Sequence, residues 1–126
     1  MDFDLNKVVQ KNKDNPVFYC QYAYARASSV INKSKELGIT IGSFSEYEII
    51  KNYFSNEEIE IILKLISYPF ILYQSAKFKE PHRLINYIED LSSTFHSFWN
   101  KGKDNESLRL IDKENITKTQ SKLIWL

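Results

Sequence analysis

At 126 residues, with 43% hydrophobic and 26% charged positions and only three glycines and three prolines, the chain has the composition of one helix-rich folded domain, not of a disordered or collagen-like sequence. The net charge of +1 excludes a uniformly basic nucleic-acid coat, and the single cysteine, Cys20, excludes an internal disulfide and a cysteine-based zinc set. "MDFDLNKVVQKNK" lacks a cationic segment followed by an apolar one, and no uninterrupted apolar run approaches about 18 residues, so neither secretion nor membrane crossing is expected and a reducing cytoplasm is.

Residues 1–14 are a polar lead-in, and residues 15–126 form the folded body. The first long helix is predicted from Pro16, whose fixed φ suits a first turn, to about Leu37, with Gly38 as its C-terminal stop. In "FSNEEIEIILKLISYP", Ser55 is an N-cap and Glu58 completes a capping box, so Glu57, Glu58 and Glu60 are read as first-turn residues and not as an acid–base or metal cluster. Pro69 ends or kinks this helix, and "FILYQSAKF" resumes it. In the next helix Leu84, Ile88, Leu91, Phe95 and Phe98 recur at spacings of four and three, the mark of one buried stripe. A last helical pattern begins near Ile116 and runs into "SKLIWL", which reads as a helix cut short. The expected fold is all-α, a helical bundle. Residues 43–66 are rich in glutamate and residues 77–103 in lysine, which suggests an acidic and a basic side.

The tyrosines of "NPVFYCQYAYARASSV" divide between two faces of the first helix. At about 100° per residue, Tyr19, Tyr22, Arg26, Ser29 and Lys33 share an arc of about 80°, and Cys20, Tyr24, Ala27 and Ile31 share another nearly opposite. The second arc is taken as the core stripe, with Tyr24 and an inert Cys20 buried in it. The first arc mixes flat aromatic rings with cations, which suits unpaired bases stacked on rings with their phosphates on Arg or Lys, and equally suits a partly exposed boundary face. Positive charge is otherwise supplied mostly by lysine, arginine occurring only at Arg26, Arg83 and Arg109. Arg26 therefore marks a place where planar geometry matters, toward RNA or toward a carboxylate inside the bundle.

"NPVFYCQYAYARASSV", followed by "EPHRLINYIEDLSSTFHSFWN", resembles the C-terminal DALR-type anticodon-binding domain of bacterial arginyl-tRNA synthetases over nearly the whole chain. The resemblance implies a helical bundle that grips the anticodon loop of arginine tRNA, with residues 1–14 leading in from the catalytic domain of the same polypeptide. That domain would attach arginine using ATP with magnesium. No catalytic, cofactor or metal site is expected within this chain, since no HxGH-like or KMSKS-like motif occurs: His82 lies in "EPHRL" and His96 in "TFHSF". Neither a DNA nor a membrane partner is implied. The family's block falls on Pro16, Tyr19, Gln21, Tyr22, Ala23 and Arg26, implying RNA contact at Tyr19 and Tyr22, with Gln21, Arg26 and the wheel-selected Lys33 as further candidates. Glu80, Pro81, His82, Tyr87, Leu91, Phe95 and Phe98 match the second block and are assigned to packing, His82 as a structural hydrogen-bonding residue. Thr119 and Gln120 stand where the family carries an Ala-Arg pair, and the family continues beyond Leu126, which implies a fragment with an exposed apolar end. A helical protein-interaction module, or the anticodon domain of another class I synthetase, are the rival expectations.

Overall fold

A computed structural model of the chain describes residues 15–39 and 54–126. The lead-in and the part of the acidic stretch that includes Glu46, Glu48 and Lys51 lie outside these residues. Among the described residues there are four α-helices, α1 (Pro16–Glu36), α2 (Asn56–Phe78), α3 (His82–Asp104) and α4 (Ile116–Leu123), a 3-10 turn at Glu106–Leu108, and no strand. The expected all-α bundle is the observed fold.

Local chemistry sets the boundaries. Asn15 caps α1 by accepting from the Phe18 N–H at 3.3 Å, and Pro16 takes the first helical position. At the other end Gly38 has φ 69, a backbone region that costs glycine nothing, and the Gly38 and Ile39 amides turn back to the Lys35 and Ser34 carbonyls. The capping box of α2 is present in both directions: Ser55 Oγ accepts from the Glu58 N–H at 3.2 Å, and Glu58 Oε2 accepts from the Ser55 N–H at 2.9 Å.

Pro69 does not end α2, which runs unbroken from Asn56 to Phe78. The ring crowds the preceding turn, and hydroxyls gather there: the Lys64 carbonyl accepts from Ser67 Oγ at 2.7 Å and from the Tyr87 hydroxyl of α3 at 3.0 Å. Tyr87 thus ties this stretch of α2 to α3. Burial pushes the Tyr87 phenol pKa up, in keeping with a hydroxyl committed as a donor.

α2 and α3 form an antiparallel hairpin, and α1 packs on the other flank of α3. Val30, Ile61, Phe95, Phe98, Leu108, Leu110 and Leu123 make the core, with Trp99, Trp125 and Leu126 against its edge. The stripe expected on α3 holds at Phe95 and Phe98 but not at Ile88, which is exposed; the buried face continues instead through Ser92 and His96. Hairpin pairing also mixes the two charge blocks, since Lys101 meets Glu57 at 3.1 Å and Lys64 pairs with Asp90. Acidic and basic sides are therefore not segregated along α2 and α3.

The C-terminal residues dock on the bundle. Leu123 is buried, Ile124, Trp125 and Leu126 are half-buried, and Trp125 stands edge-on to Phe98 at 5.8 Å between centroids. Exposed large apolar side chains are concentrated instead on α2, where Ile59, Leu63, Ile66, Phe70 and Tyr73 share one stripe. By length and composition α2 is apolar enough to cross a membrane, although no uninterrupted apolar run of that length was found in the sequence. Its first turn is nevertheless anchored in the bundle, where Glu58 and Lys122 of α4 are both fully buried with Lys122 Nζ 3.4 Å from Glu58 Oε1.

Removing one member of that pair should strand a buried charge: Lys122→Met is expected to cost about 3–5 kcal/mol of stability, and adding Glu58→Gln to recover much of it. Urea unfolding of the parent chain and the two variants checks both outcomes.

Candidate nucleic-acid interface

Helix α1 meets α3 through small residues. Ala23, Ala27, Val30 and Ser34 face the bundle, and their short side chains let the two helices approach closely. The buried direction therefore lies between the two arcs drawn on the helical wheel, and bulky aromatics flank it on both sides. Tyr24, expected in the core, is 76% exposed, and Cys20 is only half-buried. The expectation weighted hydrophobic bulk, whereas the contact is made by residues small enough to admit the α3 aromatics.

On the other flank the first arc forms a cluster around a residue that the sequence reading left without a role, His96 of α3. His96 is 2% exposed, and its ring lies 4.2 Å from the Tyr19 ring and 5.4 Å from the Tyr22 ring, measured between centroids. Arg26 reaches over from α1: its Nη1 is 2.7 Å from His96 Nδ1, its Nη2 donates to the Tyr22 hydroxyl at 2.9 Å, and its guanidinium carbon sits 4.1 Å from the Tyr22 ring centroid and 5.2 Å from that of Trp99. Phe18 extends the array, stacked on Tyr22 at 6.2 Å and 14°. The outcome is a row of rings interleaved with one guanidinium, half-buried below and open above at Tyr22, which is 44% exposed.

Arginine has no acceptor, so His96 Nδ1 accepts from it, and the ring proton sits on Nε2, which donates to the Tyr19 carbonyl at 3.0 Å. Burial first, and the Arg26 charge after it, hold the imidazole pKa below the ordinary histidine value of 6.5, with the Tyr19 carbonyl bond pulling the other way. Among the described residues Arg26 is the charge that acts on this ring, and the Tyr19 and Tyr22 phenols face it from the same helix.

The sequence-selected residues are thus only partly brought together. Tyr19, Tyr22 and Arg26 form one cluster, with Tyr19 half-buried beneath it. Gln21 is exposed on α1, and Lys33 stands nearly two turns further along, in an exposed ion pair with Glu36 at 2.8 Å. His82, expected as a structural hydrogen-bonding residue, is exposed at the first position of α3, where Arg83 pairs with Glu80. Thr119 is fully buried, its hydroxyl donating to the Asp112 carbonyl at 2.9 Å and accepting from the Asp112 N–H at 2.7 Å, so it holds the loop before α4. His96 and Trp99 were missed as site residues. Each stands one residue after a position of the expected packing stripe, Phe95 and Phe98, and what distinguished them in sequence was only that a histidine interrupts an aromatic run.

An apolar cavity of about 450 Å³ adjoins the cluster, lined by Val30, Phe98, Trp99, Gly102, Leu108 and Leu110 with Lys103 and Arg109 also at its wall. Trp99 borders both features. Among the described residues no group of His, Cys, Asp and Glu has the arrangement of a metal site.

Rings stacked with a guanidinium on one rim of an all-helical bundle define a helical domain with a surface suited to unpaired bases. The match to known proteins makes this specific: residues 20–124 fit the DALR anticodon binding domain, and the chain belongs to that family. It is 46% identical over 118 residues to an arginine–tRNA ligase of Bartonella bacilliformis, covering 91% of this chain and 20% of the relative. It is 47% identical over 121 residues to that of Bartonella tribocorum, covering 90% and 20%, and 39% identical over 125 residues to that of Rhizobium etli, covering 98% and 21%. The chain thus spans about a fifth of the length of these relatives. No solved structure matches it.

Two outcomes follow from the positions of the rings. Tyr24→Ala and Tyr22→Ala should leave stability within about 0.5 kcal/mol, whereas Tyr19→Ala, which uncovers His96, should cost more than either; thermal melts rank them. A histidine whose folded pKa lies below its unfolded value gives stability that is complete above pH 6.5 and is lost as pH falls below it. The acid-side loss should therefore be smaller in His96→Asn than in the parent chain, measured by urea unfolding between pH 7.5 and about 5.

Proposed function

We propose that this chain is the part of an arginine–tRNA ligase that grips the anticodon loop of arginine tRNA. The observation that carries the reading is the Tyr22–Arg26 unit: an open aromatic face with a guanidinium fixed beside it, on the first helix of a DALR-family bundle. A base stacks on such a face whatever its identity, and the guanidinium takes a phosphate or a base edge, so rings and cation together capture an unpaired nucleotide. Tyr22 and Arg26 make the contact in this reading. Tyr19 supports it from below, Gln21 reaches RNA from the exposed side of the same turn, and Lys33 adds a phosphate contact further along the helix.

Attachment of arginine, with ATP and magnesium, belongs in this proposal to a catalytic domain of the same polypeptide, and the setting is the cytoplasm. Such a domain would also be a partner for apolar surface, and the exposed stripe of Ile59, Leu63, Ile66, Phe70 and Tyr73 on α2 is of the kind that domain interfaces cover. A helical protein-interaction module would use the same stripe without the aromatic–cationic cluster. The anticodon domain of another synthetase would keep the cluster and change the preferred tRNA.

Titration of the chain with arginine tRNA and with other tRNA transcripts at several salt concentrations separates these. The expected result is preference for arginine tRNA, with affinity falling as salt rises and more shallowly in Arg26→Ala, which has one phosphate contact fewer. Tyr22→Ala should weaken binding by about 1–3 kcal/mol at unchanged stability. Equal affinity for all transcripts, or none for any, rejects the reading.

A further inference from the structure

We infer that His96 is the positioning residue of the RNA-facing cluster: through Nδ1 it holds the Arg26 guanidinium over the Tyr22 ring, and through Nε2 it is itself anchored to the backbone of α1. The inference rests on the proposed role of the cluster and deepens it by naming what makes Arg26 a fixed contact.

Arg26 is half-buried on the rim of the bundle, and a free arginine side chain there would sample many rotamers. Two bonds remove that freedom. Of the five guanidinium N–H donors the cluster uses two, toward His96 Nδ1 and the Tyr22 hydroxyl, and leaves the others for a ligand. Tyr22 is exposed and moves with its own rotamer, so it cannot fix the guanidinium by itself. His96 can, because it is 2% exposed, sits between the rings of Tyr19 and Phe95, and donates to the Tyr19 carbonyl. The imidazole thus bridges α3 to α1 at a carbonyl seven residues before the arginine whose guanidinium it orients.

The chemistry required of position 96 is narrow. It needs an acceptor facing Arg26, a donor facing Tyr19, and no positive charge. A neutral imidazole with its proton on Nε2 has all three; a protonated ring would point a donor at a guanidinium. Burial and the Arg26 charge keep the ring neutral.

Two amide variants separate the functions of the two ring nitrogens. In His96→Asn the short amide places an acceptor near the Nδ1 position and keeps the Arg26 bond, while in His96→Gln the longer amide reaches toward the Tyr19 carbonyl and leaves Arg26 without its acceptor. Nitrogen NMR of the free chain should show the ring proton on Nε2, and slowed rotation of the Arg26 guanidinium in the parent and in His96→Asn but not in His96→Gln. With arginine tRNA, His96→Asn, which keeps the acceptor for Arg26 but lacks the donor to Tyr19, should lose about threefold. His96→Gln should lose about tenfold, no further loss appearing when Arg26→Ala is added, as expected for residues acting as one unit. A proton on Nδ1, equal guanidinium mobility in the two amide variants, or additive losses in the double variant overturns the inference. If the NMR results appear as expected but no chain binds tRNA, the positioning of Arg26 stands and the RNA reading fails.

Discussion

The bundle depends on one buried ionic contact, between Glu58 at the start of α2 and Lys122 near the end of α4. Both side chains are fully buried, and each has a second duty. Glu58 Oε2 closes the capping box on the Ser55 N–H, and Lys122 Nζ donates to the Ser107 carbonyl in the 3-10 turn at 3.0 Å. Glu58 Oε1 has no hydrogen bond and only the lysine charge 3.4 Å away, so its desolvation is offset by Lys122 alone among the described residues. Burial pulls the Lys122 pKa down while Glu58 pulls it back up, as expected for charges that share one dry site. An eight-residue helix such as α4 is marginal alone in water, and this contact with the burial of Leu123 and Thr119 is what secures it.

With α4 secured, the rest of the core closes over α3. Leu123 and Trp125 pack from the C-terminal side, Ile61 from α2 and Val30 from α1, around Phe95 and Phe98. That places the next residues of α3, His96 and Trp99, on the flank toward α1, where they meet Tyr19, Tyr22 and Arg26. The candidate RNA face is therefore a by-product of helical register: on α3 the packing stripe and the cluster are adjacent positions, so a shift of α3 along α1 would separate His96 from Arg26.

The cluster combines a rigid floor with an open top. Tyr19, His96 and Trp99 are half-buried or buried, and Tyr22 is exposed above them. In the proposed use, a base stacking on Tyr22 would meet a guanidinium already oriented, so less conformational freedom would be lost on binding than with a free arginine. Family membership and the arginine–tRNA ligase relatives agree with such a use, while the apolar stripe on α2 lies away from it and is suited to a different kind of contact.

Much of the local structure was determined by sequence alone. Asn15–Pro16, Gly38, the Ser55–Glu58 box and Asn115 fix helix ends through bonds made within a few residues, which is why those boundaries could be read directly. The paired tyrosines, Arg26 and the family blocks were likewise visible as local patterns. Tertiary structure decided what depends on partners far along the chain. Pro69 lies inside an unbroken helix that packs along α3, with Tyr87 of α3 donating to the Lys64 carbonyl before it. Tyr24 is outside and Ala23 inside because close approach of α3 rewards small side chains over bulky ones. Glu58 looked like any first-turn glutamate until Lys122, far along the chain, came to face it, and His96, beside the expected stripe, had no assigned role until Arg26 reached it from a helix about seventy residues earlier. A helical period tells which residues share a face, but only the neighbouring helix determines which face is buried.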